Sequence, residues 1–373
     1  MKMKAIGIVL TGGNNERLGD LTSVRAASAL PMGSCYRVID FPISNMANSG
    51  INKIAVITQY NSRSLHDHLS SEKWWDLGRK HGGLFVFTPF QSNDNNLWYR
   101  GTADSIYQNI AFLKRSKEEL VVIASGNCVY KMDFKKLIEH HMEKGADITI
   151  AAKNIAGTDI NPCEFGVLTL DENGIVADFE EKPFETESRI ISMGIYVISR
   201  LLLIELLEKA IADDRFELVT GILIHYRKKY RMSAFMFDGY WSAINSVDAY
   251  YNTNMDFLRH DVRKTLVHTF PHIESKPKDE PPAKFNHHSE SRNCLVGSGT
   301  ILNGKVVNSV IFRKVFTWEN SYINNSIIME GCQIASGCVV EHAILDKDVM
   351  VTAGRHVCGT PGKPVIVRKE TVI

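Results

Sequence analysis

The stretch Ala5-Ile6-Gly7-Ile8-Val9-Leu10-Thr11-Gly12-Gly13-Asn14-Asn15-Glu16-Arg17 decides how the chain is read. Its first seven residues, rich in Ile and Val, predict a buried strand over 5–11. The glycine pair and the asparagines end that strand in a loop. Two glycines after a strand let backbone amides approach a phosphate closely, and Arg17 in the same loop can pair with phosphate oxygens. The loop matches neither the Gly-Lys-Ser/Thr ending of a Walker loop nor Gly-x-Gly-x-x-Gly, and a plain strand-to-helix turn fits it as well. The apolar run holds only about six residues, short of the roughly 7–15 of a secretory signal core.

Outward from this strand the pattern repeats. Short β-branched runs predict strands at 54–58, 120–124 and 148–152. Between them, Ile106, Ile110 and Leu113 mark a helix over 103–115. A second helix is expected over 134–144, with Asp133 as its N-cap and Gly145 as its stop. Strands alternating with helices predict an α/β domain with a mostly parallel sheet covered on both faces, spanning 1–260. Ligands of such sheets bind beyond the carboxyl ends of the strands.

The composition then shifts. Pro271, Pro277, Pro281 and Pro282 stand among charged residues and His, so 261–292 reads as a linker. Over 293–373, Val310, Phe316, Tyr322, Ile328, Ile334 and Val340 recur every six residues, and small Ser326, Cys332 and Cys338 follow three of them by four. One large and one small inward position per six residues predicts a three-sided parallel β-helix. Val296-Gly297 and Leu302 belong to an earlier coil, offset by an insertion.

Global composition narrows the function. The 373 residues are 44% hydrophobic and 23% charged, values of a globular protein of two or three domains. A net charge of +1 argues against a nucleic-acid partner. The greasiest stretch, 190–207, is interrupted by Arg200 and Glu205, so no membrane span is expected. Seven dispersed cysteines, without a Cys-x-x-Cys pair, point to a reducing cytoplasm rather than a disulfide scaffold or zinc ribbon.

Several motifs then resemble one family across essentially the whole chain. Arg25-Ala26-Ala27-Ser28-Ala29-Leu30-Pro31, Tyr36-Arg37-Val38-Ile39-Asp40-Phe41-Pro42, Trp98-Tyr99-Arg100-Gly101-Thr102-Ala103-Asp104, Glu180-Glu181-Lys182-Pro183, Ser192-Met193-Gly194, Tyr240-Trp241 and Pro281-Pro282-Ala283-Lys284-Phe285 are similar to runs of bacterial ADP-glucose pyrophosphorylases. The resemblance implies a Rossmann-like, GT-A-like nucleotidyltransferase domain joined to a left-handed β-helix, usually in a tetramer. It implies the reaction of ATP with glucose 1-phosphate to give ADP-glucose and pyrophosphate, an in-line attack helped by positioning and Mg²⁺.

Against that pattern the chain departs at sites of charge. The family's two metal-binding aspartates lie in Gly-Asp-His-x-Tyr and Trp-x-Asp-Val-Gly-Thr. Here the strings are Gly126-Asn127-Cys128-Val129-Tyr130 and Trp241-Ser242-Ala243-Ile244-Asn245-Ser246, so Asn127 and Ala243 stand at those positions. Mg²⁺ prefers charged oxygen ligands, of which Asn and Ala supply none. In the phosphate loop Gly12, Gly13 and Arg17 remain, but Asn14 and Asn15 replace a basic residue and a glycine. Ala27 stands for a nucleotide-facing lysine, and Cys35 for a lysine linked to effectors. On the sugar side Tyr99, Gly166, Glu181, Lys182 and Ser192 match the family's sugar-phosphate contacts. Arg25 and Arg37 either support phosphates or brace their loop.

These residues predict no catalytic or metal site in this chain and no cofactor of its own. The resemblance implies a regulatory subunit of the GlgD type, paired with a homologous catalytic subunit that holds Mg²⁺, in a homo- or hetero-oligomer. Its rivals are an active transferase using Asp104, Asp133 or Asp238 as metal ligands, a sugar-phosphate sensor, and a hexapeptide acyltransferase built on His342. His140-His141, His66 with His68, and His287-His288 read as packing or surface residues. Trp74-Trp75 and Trp98 read as cover for the core or an interface.

Overall fold

A computed structural model describes residues 4–12, 16–78, 82–90 and 98–373. Its first half is built on one nine-stranded sheet. From one edge the strands run Val176–Glu181, Gly166–Leu170, Ile190–Ser199, Leu120–Ser125, Ala5–Leu10, Lys53–Ile57 and Gly83–Phe87, and Ile148–Asn154 joins Ile190–Ser199 to Met232–Met236. Ala5–Leu10 pairs in parallel with both Lys53–Ile57 and Leu120–Ser125. Ile190–Ser199 enters antiparallel beside Leu120–Ser125 and Ile148–Asn154.

The apolar runs are continuous because both sheet faces are covered. Val9, Val56 and Val122 pack on one side with Ile43, Phe134 and Leu137. Ile6, Ile8 and Ile123 pack on the other with Ile106, Leu203 and Leu206. The greasy stretch at 190–207 is two elements, the strand Ile190–Ser199 and the helix Arg200–Ala212. Arg200 fixes the join by donating to the carbonyls of Glu118 (2.7 Å) and Leu113 (3.2 Å). Among the described residues no helix is long and apolar enough to cross a membrane.

The helix expected over 103–115 is broken. Thr102–Gln108 and Ile110–Arg115 meet at Asn109, whose side chain donates to the Ser105 carbonyl (2.8 Å) and the Tyr99 hydroxyl (3.0 Å). Asp133 caps Phe134–Glu143 by accepting from the Lys135 amide, and Gly145 follows at φ 53°.

The remainder is a three-sided parallel β-helix, three sheets of five strands. Coil partners such as Tyr322 and Val339, or Ile327 and Ile344, lie seventeen positions apart. One side is therefore a residue shorter than the other two, and a strict period of six slips by one at each coil. Ile328, Ile334 and Val340 point inward as expected, but Ile311, Thr317 and Ile323 are the fully buried residues where Val310, Phe316 and Tyr322 were expected to point inward. Val310 is buried instead against the first domain, and Phe316 and Tyr322 are half-buried. Ser326, Cys332 and Cys338 do fill the corners.

The early coil is offset by a shortening, not an insertion: Ile301 pairs with Phe316, fifteen positions on, and Lys305 with Tyr322, seventeen on. The shortened corner holds Gly304, where any Cβ would collide with Ser321. Segment 261–292 also carries structure. His260–Arg263 and Lys264–His268 are helical, and Lys284–Phe285 and Glu290–Arg292 already pair with the next coil.

The two halves share a core. Val310, Phe312, Ile327 and Ile344 of the β-helix pack with Leu30, Tyr250, Phe257 and Ile273. Arg25 and Asp346 form a buried ion pair across the join (2.7 Å, side chains 4% and 2% exposed).

Candidate functional site

Parallel strands Ala5–Leu10 and Leu120–Ser125 end side by side, Leu10 opposite Ser125. The chain then turns tightly at Gly126, whose amide donates to the Leu10 carbonyl (2.8 Å). Asn127 follows and leads into Cys128–Tyr130, which pairs antiparallel with Trp241–Ala243 so that Ala243 faces Cys128. The Ile244 amide donates to the Asn127 carbonyl (2.8 Å), closing the ribbon. Asn127 and Ala243, remote in sequence, thus line one cleft of about 350 Å³ with Ser125, Arg17, Glu164, Lys182 and Asn245.

The polar groups of this cleft are unevenly satisfied. The Asn127 Oδ1 is buried and has no hydrogen-bond partner. Arg17 Nη2 donates to Glu164 Oε1 (2.7 Å), and Asn245 Nδ2 donates to Glu164 Oε2 (3.2 Å). Cys128 is buried, which pushes its thiol up to about 12 and keeps it a neutral thiol. Among the described residues no group of three or more His, Cys, Asp or Glu is placed to hold a metal ion.

The sugar-side candidates are distributed. Lys182 lines the cleft, held at φ 47° with its amide donating to the Phe165 carbonyl (3.0 Å). Glu181 precedes it opposite Gly166. Burial raises the Glu181 carboxyl above its ordinary range, the Lys182 charge opposes that, and Glu217 adds to it. Gly166 is required by space, since a Cβ there would lie 2.6 Å from the Phe179 ring and 3.0 Å from Glu181 Oε2. Ser192 is buried in the adjoining strand, its Oγ accepting from the Gly194 amide and 3.2 Å from the Tyr196 hydroxyl. Glu181, Gly166 and Ser192 line neither this cleft nor the next cavity.

Tyr99 lies in that second cavity of about 260 Å³, with Thr11, Gly12, Gln59, Arg100 and Glu217. Its amide donates to Gln59 Oε1 (2.6 Å), its hydroxyl accepts from Asn109, and burial raises its phenol. Gly12 borders both regions, because a Cβ on it would approach Asn127 Nδ2 to 3.2 Å. Gly13, with Asn14 and Asn15, lies outside the described residues.

Several candidates serve structure. Arg25 is taken up by Asp346, and Arg37 donates to the Ser64 carbonyl (2.6 Å) and hydroxyl (3.0 Å), so both brace their surroundings. Asp104 accepts from the Arg100 amide and from Gln108, Asp133 is a helix cap, and Asp238 is exposed; none lines the cleft. His141 bonds Thr149 and His68 bonds Asp40, each buried, and His287 stacks on His288. Trp75 is buried in the core, whereas Trp98 is exposed and stacks on Tyr60. His342 sits at a coil corner near Asn325.

Glu164 was not singled out from sequence. It is the one carboxylate among the described residues lining the cleft. Its available signal was indirect: Asn245 stands where the similar motif has glycine, adding a donor that needs an acceptor.

A cleft at the carboxyl ends of parallel strands, bordered by a two-stranded ribbon, and a β-helix that shares a core with the sheet domain are the features of the nucleotidyltransferase class. Residues 6–260 match the family model described as nucleotidyl transferase, and 281–362 match the one described as GlmU-like, C-terminal hexapeptide. The chain is 35% identical over 358 residues to a glucose-1-phosphate adenylyltransferase of Bacillus mycoides, covering 95% of this chain and 94% of the relative. It is 34% identical, with the same coverage, to the enzymes of that name from Bacillus cereus and Bacillus anthracis. The chain belongs to the glucose-1-phosphate adenylyltransferase family.

Proposed function

We propose that this chain is a catalytically impaired, regulatory subunit of glucose-1-phosphate adenylyltransferase, acting in glycogen biosynthesis through a homologous catalytic subunit. The observation that carries the reading is that Asn127, just before the two-stranded ribbon, and Ala243, at the end of its other strand, line one cleft. Mg²⁺ fits poorly there. Asn127 offers one neutral oxygen, Ala243 none, and both oxygens of Glu164 are already bonded to Arg17 and Asn245. A lost metal ion removes several kcal/mol of transition-state stabilisation, at about 1.4 kcal/mol per tenfold in rate. The cofactor then belongs to the partner.

The intact scaffold supports a role through contact. The β-helix and sheet domain are joined by a shared core and a buried ion pair, so the chain presents one rigid surface to a homologous subunit in a heterotetramer. Its binding would favour the partner's competent conformation, a coupling that runs both ways between the subunits. Lys182 and the unpartnered Asn127 Oδ1 also favour a retained sugar-phosphate ligand. The test is to mix the purified chain with a catalytic homologue and follow pyrophosphate release. A rise in the partner's turnover is expected, and unchanged turnover together with no complex on size exclusion overturns the reading.

A further inference from the structure

Three segments converge on the Glu164 carboxylate. Arg17, after the first strand, takes one oxygen, and Asn245, after the ribbon, takes the other, while Glu164 itself comes from the turn Pro162–Glu164. A carboxylate held by a guanidinium and an amide N–H uses the donors that phosphate oxygens would use. Among the described residues lining the cleft, the cations are Arg17 and Lys182, and Glu164 cancels the first in place. What remains is one lysine and the orphan acceptor on Asn127, which needs a donor such as a hydroxyl.

We propose that Glu164 is a specificity-determining residue that occupies the polyphosphate end of the cleft, so that the cleft takes a sugar monophosphate and refuses a nucleoside triphosphate. This rests on the reading of the chain as a family member without its own catalysis, and it names what the same cleft still binds.

The ion pair is half open to water, with Arg17 58% and Glu164 30% exposed. Pairs of that exposure hold weakly, so a mechanical strap is not the source of exclusion. The source is charge: the incoming triphosphate meets the negative charge of Glu164, which repels it and offsets the charge of Arg17. Removing the charge while keeping the shape therefore lifts the exclusion, and salt weakens the effect.

The experiment is calorimetry on the full chain with metal-free ATP and, separately, glucose 1-phosphate. The wild-type chain is expected to bind glucose 1-phosphate more tightly than ATP. Glu164→Gln is expected to raise ATP affinity by about tenfold or more, and more than it raises glucose 1-phosphate affinity. Adding Arg17→Gln to that variant should remove the gain. If Glu164→Gln does not fold, as judged by a thermal melt, Glu164→Ala is read in the same way. Equal ATP affinity in wild type and variant overturns the proposal, whatever the chain's activity. A variant that gains ATP binding but releases no pyrophosphate supports both readings. One that gains binding and also turns over supports Glu164 as the excluding residue while contradicting the non-catalytic subunit.

Discussion

On the proposed reading, two side chains separate a metal site from an inert one. Asn127, in the turn before the ribbon, and Ala243, in its second strand, line the same cleft, where two carboxylates would bracket a cation. Restoring them as Asn127→Asp with Ala243→Asp should bring divalent-ion binding, measured by manganese titration, to at least about tenfold above wild type. An unchanged titration would show that the cleft is unfit for reasons beyond these two positions. Gly166 makes a similar point about space. Gly166→Ala puts a Cβ 2.6 Å from the Phe179 ring and should cost about 1–3 kcal/mol in urea unfolding. Glu181 is a third case. Its folded pKa is raised, so the folded state holds the proton more tightly than the unfolded chain. Stability is therefore lost as pH rises from the ordinary carboxylate range through the folded pKa. Glu181→Gln should shift the urea midpoint upward more at pH 7 than at pH 4, and equal shifts would contradict the burial argument.

At the level of elements, apolar patterning carried the sequence reading a long way, and local side-chain chemistry marks where it stopped. The strands at Ala5–Leu10, Lys53–Ile57, Leu120–Ser125 and Ile148–Asn154 follow from their β-branched runs, because a sheet buried on both faces needs no alternation. The helix over 103–115 was legible but its break was not, since Asn109 diverts its amide to the Ser105 carbonyl and to a hydroxyl in the preceding loop. The β-helix was legible from its corners, Ser326, Cys332 and Cys338. Its seventeen-residue coil was not, because a side one residue short leaves apolar residues near every six-residue position. In the site, Asn127, Ala243 and Lys182 line one cleft, whereas Tyr99, Gly166, Glu181 and Ser192 do not, and Glu164 reaches it through a turn whose placement no periodicity encodes. Helix Phe134–Glu143 yields a prediction of its own. His141 is buried against Thr149, and burial lowers its pKa, with His140 adding to this and Asp147 opposing it. The folded state thus binds the proton less well than the unfolded chain, and stability falls as pH drops through the ordinary histidine range toward the folded pKa. His141→Gln should flatten that part of the stability profile, measured by urea unfolding between pH 7 and pH 5.

As a whole, the molecule is two domains locked face to face. The shared apolar core makes the contact, and Arg25 with Asp346 places a charge pair inside it. Removing one partner strands the other charge in a buried position, so Asp346→Asn or Arg25→Met should cost about 3–5 kcal/mol by chemical unfolding. A loss below about 1 kcal/mol, the worth of a surface pair, would mean that the join opens to water. That rigid join is what the proposed regulatory role requires, since a partner can respond only to a surface that holds its shape. The central claim is that this chain keeps the scaffold of an adenylyltransferase without its metal chemistry. It is tested most directly by incubating the purified chain alone with ATP, glucose 1-phosphate and Mg²⁺ and measuring pyrophosphate. The account predicts release at the level of a protein-free control, and sustained turnover at the rate of a catalytic homologue would contradict it.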